Sequence, residues 1–249
     1  MIRLYGLIGK TLKHSFSQKY FRSKFEKESI SNCDYELFEL EDISQFPGLI
    51  KRYENLRGLN VTIPYKQVVM PYLVDVEGKA KEIGAVNTIK ILNKERLIGH
   101  NTDYWGFKLS LEKWAAPSLS HISALVLGTG GASKAIEVVL KDLGIPYQRV
   151  SRTAQEGAIN YQDLAGDPSL VPSHQLIINT TPLGTSPNVD EAPAIPYDQI
   201  TSQHYLYDLV YNPAETLFLK KGKERGAQIK NGLEMLEIQA EKAWEIWNS

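Results

Sequence analysis

The stretch ISALVLGTGGAS, residues 122–133, decides the fold. Residues 122–127 form an apolar run of strand character, glycines follow at 128, 130 and 131, and residues 135–143 repeat apolar side chains at helical spacing. Strand, glycine-rich turn and helix in direct succession open a βαβ unit. Gly128 and Gly130 permit a sharp turn with close backbone approach, and Ser133 takes the third small position of a dinucleotide fingerprint. Backbone amides at the start of such a helix would face a pyrophosphate, where the helix dipole favours negative charge.

Downstream the pattern recurs, with strands expected over 147–150, 175–179 and 205–210 and a helix over 215–226. Together these predict a parallel sheet covered on both faces. Residues 181–196 are dense in proline and polar side chains and read as a mobile connection. A last helix over 233–247 carries an apolar stripe of Leu233, Leu236, Ala240, Ala243, Trp244 and Trp247, which needs a partner surface. At the end of the second strand, where an acidic residue would bind the ribose of NAD, stand Ser151, Arg152 and Thr153. A planar guanidinium flanked by two hydroxyls suits a 2′-phosphate, so the sequence predicts NADPH over NADH.

Upstream, a strand is expected over 2–8, a helix over 17–30, a strand over 35–40 and a helix over 43–53. A short strand then delivers residues 58–62, and Pro64 suits a helix start. Residues 86–92 and 96–99 have the look of a hairpin ending at GHNTD, with Asp103 as cap of a helix over 104–114. APS, residues 116–118, reads as the start of a second unit. Within this half, GLNVTIPYK (residues 58–66) and GHNTD (99–103) bring an amine and a carboxylate together with hydroxyls and amides. A lysine held near an aspartate can exchange a proton with a substrate oxygen. Thr62, Asn87 and Asn101 can hydrogen-bond a polyhydroxylated ring. Proton donor plus dinucleotide site points to carbonyl reduction by hydride.

Composition narrows the alternatives. The chain has 249 residues, 43% hydrophobic and 23% charged, enough for one large domain or two modest ones. A formal net charge of -1 gives no long-range attraction to nucleic acid or an anionic membrane. The opening MIRLYGLIGK is too short for a secretory segment and no apolar run reaches spanning length, so a cytoplasmic address is expected. Cys33, the single cysteine, excludes an internal disulfide and reads as buried filler, and the five histidines lack metal-site spacing, so no metal is expected.

With GLNVTIPYK, GAVNT (84–88), GHNTD, GTGGAS, SRT, INTTPLG (178–184), DLVYNP (208–213) and GLEMLEIQ (232–239) in this order, the chain resembles the shikimate dehydrogenase family essentially from end to end. The resemblance implies NADPH-dependent reversible reduction of 3-dehydroshikimate to shikimate, a step of aromatic amino acid and chorismate biosynthesis. A quinate/shikimate dehydrogenase with relaxed polyol or NAD use is the near alternative, and a non-catalytic dinucleotide-binding regulator the distant one. The implied architecture is a two-domain α/β fold. An N-terminal substrate domain takes residues 1–103 plus 232–249, with the C-terminal helix returning to it, and a Rossmann-like NADP domain takes 104–231. The resemblance also implies an active site in the cleft between them and a monomer or homodimer.

The same resemblance assigns the substrate carboxylate to Ser15 and Ser17. It gives the ring hydroxyls and reacting oxygen to Thr62, Lys66, Asn87, Asp103, Tyr211 and Gln239, with Lys66 and Asp103 catalytic. Cofactor contacts are assigned to Gly128, Gly130, Gly131, Ala132, Ser151, Arg152, Thr153, Asn179, Thr180, Thr181 and Gly232. On the residues alone, Ser15 and Ser17 equally fit caps of the first helix, and a packed loop aromatic is the alternative for Tyr211. The chain departs from the common family pattern at Gln18, Ser151, Glu156 and Thr185, and Glu156 stands where a second base often follows Arg152.

Overall fold

The computed structural model describes residues 2–12, 15–115, 121–153 and 155–249, so His14 and the APS segment lie outside the described residues. The chain divides into two compact units, Met1–Gly106 with Glu237–Ser249, and Phe107–Leu236.

The first unit is built on a mixed six-stranded sheet. β1 (Arg3–Gly9), α1 (Phe16–Lys27) and β2 (Cys33–Glu39) form the expected βα start, and β1 pairs in parallel with both β2 and β3 (Leu56–Val61). The helix expected over 43–53 is divided into a 3-10 turn, Ile43–Gln45, and α2 (Phe46–Arg52), whose first turn holds Pro47. Proline fits there because its missing N–H has no partner to lose. α3 (Tyr65–Val68) is a single turn after Pro64. β4 (Asp75–Val76) and α4 (Lys79–Ile83) follow in a region where periodicity gave no signal. β5 (Thr88–Asn93) and β6 (Arg96–His100) make the expected antiparallel hairpin, giving the sheet order β2-β1-β3-β5-β6-β4. Asp103 is the first residue of α5 (Asp103–Ala115) rather than a cap preceding it, and Asn101 Oδ1 instead accepts from the Tyr104 N–H at 3.3 Å.

The second unit is a six-stranded all-parallel sheet, order β12-β11-β10-β7-β8-β9. It contains β7 (Ala124–Leu127), α6 (Gly131–Asp142), β8 (Tyr147–Ser151), β9 (Ala158–Asn160), α7 (Tyr161–Gly166), β10 (Leu176–Asn179), β11 (Tyr205–Asp208), α8 (Leu217–Glu224) and β12 (Gln228–Lys230). β7 and β10 are buried along their whole length, as expected of central strands with both faces covered. α6 begins four residues before the expected start, because small residues at its N-terminus carry no periodic signal.

The C-terminal helix α9 (Leu233–Asn248) crosses from the second unit into the first. Within the first unit its stripe finds the partner it needs: Ala240, Ala243 and Trp247 join Tyr5, Phe21, Phe25 and Tyr35 in one core cluster. Trp247 stacks on Tyr5 with ring centroids 4.9 Å apart and donates its indole N–H to the Ile89 carbonyl at 3.0 Å. Leu233, at the other end of the stripe, is exposed. Cys33 is half-buried rather than core filler.

Candidate active site

Within the first unit, β3 ends at Val61 and the chain turns so that the Tyr65 N–H donates to the Thr62 carbonyl at 2.9 Å. Tyr65 is buried and its hydroxyl donates to the Leu40 carbonyl, which anchors α3. Lys66, the next residue, is left partly exposed, and its Nζ donates to Asp103 Oδ2 at 2.7 Å. The aspartate side chain is 7% exposed and the lysine 20%, so the pair is shielded on the carboxylate side and open on the ammonium side. An ammonium has three N–H donors, and one is committed here.

Asn87 lies beside this pair in the same unit. It is buried, its Oδ1 accepts from the Thr102 N–H at 2.7 Å, and its Nδ2 donates to Gln239 Oε1 at 3.1 Å. Asn101, expected to face a ring, is engaged elsewhere: it is buried, donates to the Ala85 carbonyl at 2.9 Å and accepts from the Tyr104 N–H. Two residues that the sequence reading missed extend the network. Asn60 donates to Thr88 Oγ1 at 3.2 Å and accepts from the Tyr35 hydroxyl at 2.8 Å. Tyr35 is fully buried, which pushes its phenol well above the usual range and keeps it a donor. Ser17 faces the same phenol.

Ser15 occupies the N-cap position of α1 but makes no capping bond, and its Oγ is buried with no hydrogen-bond partner among the described residues. Capping therefore does not account for Ser15. A buried hydroxyl without a partner is costly, and an acceptor placed beside it would relieve that cost.

The second unit holds a separate cavity of about 570 Å³ at the carboxyl ends of β7, β8 and β10. Gly128, Thr129 and Gly130 of the glycine loop line it with Ser151, Arg152, Thr153, Thr180 and Thr181, together with Gln155, Tyr161 and Leu183, which the sequence reading did not single out. Gly128 has φ +113, and a Cβ there would meet Thr180 Oγ1 at 2.6 Å, so both conformation and space demand glycine. At Gly130 and Gly131 a Cβ would meet nothing within 4 Å, which leaves open room in front of the α6 N-terminus. Ser133 is buried and donates to the Gly130 carbonyl at 2.7 Å, closing the turn. Open space, a helix N-terminus and an exposed Arg152 fit a phosphorylated dinucleotide.

Four expected cofactor residues are not among the lining residues. Gly131 and Ala132 belong to the first turn of α6, and Asn179 is fully buried beneath Thr181. Gly232 packs on the Leu209 backbone, where a Cβ would stand 2.1 Å from the carbonyl oxygen. Gln155 bridges the two halves of the cavity wall, donating to Thr129 Oγ1 at 3.0 Å and to Ser151 Oγ. Arg149, the neighbouring base on β8, is held by the Glu156 and Gly157 carbonyls. Tyr211 is half-buried in the same unit, on the loop after β11, and burial pushes its phenol up. Among the described residues no group of three or more His, Cys, Asp or Glu is placed to hold a metal ion, and no helix is long and apolar enough to cross a membrane.

Comparison with known proteins gives a consistent result. A family model described as the shikimate dehydrogenase substrate binding domain matches residues 7–89. The chain is 41% identical to the NADP(+) shikimate dehydrogenase of Carboxydothermus hydrogenoformans, over 98% of this chain and 91% of that one. It is similar to the structure of a chorismate mutase/shikimate 5-dehydrogenase fusion protein from Clostridium acetobutylicum, with TM-score 0.89 and 37% identity over 100% of this chain and 92% of that one. Shikimate 5-dehydrogenase from Thermus thermophilus, solved in complex with NADP(H) and shikimate, matches at TM-score 0.86 and 29% identity, covering 99% and 93%.

Proposed function

Since this chain belongs to the shikimate dehydrogenase family, we propose that its first unit binds and protonates the substrate and its second unit binds the dinucleotide. The reaction is the NADPH-dependent reversible reduction of 3-dehydroshikimate to shikimate, an oxidoreductase reaction on a CH–OH group. The observation that carries the residue assignment is the 2.7 Å contact of Lys66 with Asp103, beside the Asn87–Gln239 hydrogen bond.

When bound, the nicotinamide supplies a hydride for the carbonyl carbon. Lys66 donates a proton to the carbonyl oxygen as negative charge develops there, and Asp103 fixes the ammonium so that its remaining donors are directed by the pairing. Asn87, Gln239 and Thr62 orient the ring hydroxyls, with Tyr211 joining them, and Ser15 and Ser17 take the carboxylate. Arg152 and Thr153 hold the 2′-phosphate, and Gly128 to Ala132 at the start of α6 receive the diphosphate. Asn179, Thr180, Thr181 and Gly232 complete the cofactor side.

The substrate is a small molecule. A monomer or homodimer, placed in the cytoplasm where reduced dinucleotide is supplied, belongs to the same proposal. A steady-state assay that follows NADPH absorbance tests it, with shikimate set against quinate and NADP against NAD. Turnover of shikimate with NADP well above the other three combinations is the expected result. Equal use of quinate or NAD overturns the specificity assigned here, and dinucleotide binding without turnover of either polyol overturns the enzyme assignment.

A further inference from the structure

The parallel sheet carries a buried carboxylate that the reaction leaves unused. Asp208 ends β11, is fully buried, and is the register partner of Asn179 at the end of β10. Its Oδ1 accepts from Asn179 Nδ2 and from the Val210 N–H, both at 3.0 Å, and its Oδ2 accepts from Thr216 Oγ1 at 2.6 Å. These three donors are all neutral. A carboxylate removed from water and compensated only by neutral donors is costly to keep, so its placement needs a reason.

The reason is legible one bond further on. With its amide nitrogen drawn to Asp208, Asn179 turns its oxygen toward Thr181, where it accepts from the backbone N–H at 3.0 Å and from Oγ1 at 2.6 Å. Thr181 Oγ1 in turn accepts from the Leu183 N–H at 3.3 Å. Thr181, Pro182 and Leu183 form one wall of the dinucleotide cavity. An ionised carboxylate only accepts, so it admits one orientation of the Asn179 amide. An asparagine at 208 could offer its own NH₂ and let that amide turn over, which would withdraw the oxygen from Thr181.

We infer that Asp208 is a positioning residue for cofactor binding: it fixes the Asn179 amide and through it the 181–183 wall of the cavity. This rests on the reading that the cavity takes NADP(H). The competing role is purely local, since Thr216 caps α8 by accepting from the Leu219 N–H at 3.3 Å, and Asp208 could merely steady that cap.

NADPH binding followed by fluorescence titration, independent of turnover, separates the two roles in Asp208→Leu, Asp208→Asn and Thr216→Val. Loss of a buried hydrogen bond to a charged acceptor should raise the NADPH dissociation constant at least about tenfold in Asp208→Leu. Asp208→Asn should fall between that value and wild type, and Thr216→Val should stay within about twofold, as removal of a contact outside the cavity wall implies. In turnover assays the loss in Asp208→Leu should sit in the Michaelis constant for NADPH and not in that for shikimate. If circular dichroism shows the leucine variant unfolded, Asp208→Ser, polar but too short to reach Asn179, carries the same expectation. Wild-type affinity in a folded Asp208→Leu or Asp208→Ser protein overturns the inference, as does an equal loss in Thr216→Val. Failure of the wild-type protein itself to bind NADPH overturns the functional reading beneath it, a result distinguishable from either.

Discussion

Lys66 Nζ donates to Asp103 Oδ2 across 2.7 Å although the two residues are 37 positions apart and lie on different helices. If Lys66 is the general acid proposed, worth about 10² to 10⁴-fold in rate, Lys66→Ala should lower turnover by at least about two orders of magnitude. NADPH titration of the variant should match wild type, because the cavity in the second unit contains neither residue. Turnover near the wild-type rate removes Lys66 from the chemistry.

Ser15 offers a test in which two roles give opposite signs. A working N-cap contributes about 1 kcal/mol to stability, and its removal destabilises the fold. A buried hydroxyl with no partner among the described residues instead carries a desolvation cost of about 1–3 kcal/mol, so Ser15→Ala should leave the urea midpoint unchanged or raise it. The same change should raise the Michaelis constant for shikimate by about tenfold, the value expected for one hydrogen bond to a carboxylate. A lowered midpoint with unchanged shikimate kinetics would return Ser15 to a structural role.

The β7–loop–α6 unit was legible because its signals are local: an apolar run, then glycines whose spacing has a steric cause, seen here in the φ of +113 at Gly128. The short strands β4, β9 and β12 were not, since two or three residues carry no measurable period. α7 did leave a trace, the Asn160 and Asp163 capping box, which a search for cap pairs would have found. Asn60 was also findable, as a carboxamide inside the strand sequence LRGLNV. Gln155 was not: its partners Thr129 and Ser151 become neighbours only when the loop after β8 folds back on the glycine turn. Asn101 shows a different limit: one donor and one acceptor of its amide are already engaged by the backbone, which its residue type alone does not reveal.

Arg152 stands exposed at the cavity while Arg149 is held by two carbonyls, which supports the proposal that Arg152 meets the 2′-phosphate. Arg152→Ala should raise the Michaelis constant for NADPH by about tenfold or more, the loss of a charge-assisted hydrogen bond, and leave NADH use nearly unchanged. Parallel titration with both cofactors decides the matter, and an equal loss with each would place Arg152 at the shared part of the dinucleotide.

Asp208 should also leave a mark on stability against pH. Burial pushes its carboxyl up to about 6 from the ordinary 3.8, against the smaller lowering effects of Thr216, Val210 and Asn179. A folded pKa above the unfolded one means that the native state binds the proton more tightly, so the contribution is full below the unfolded value and is lost as pH rises through about 6. Two pKa units correspond to roughly 3 kcal/mol, so at neutral pH the ionised side chain works against folding by that order. Other groups titrate nearby: the depressed His100 costs stability as pH falls, and Glu234, held near 2 by Lys113 and Lys230 in spite of partial burial, loses its contribution only under more acid conditions. Subtracting wild type from Asp208→Asn cancels both. Urea unfolding at several pH values from about 4 to 8 should show the variant gaining on wild type as pH rises, while its NADPH affinity falls. A difference independent of pH would mean that Asp208 does not titrate in this window. A gain in stability paired with a loss of affinity would show that the chain tolerates an unfavourable buried charge because the cavity wall depends on its orientation.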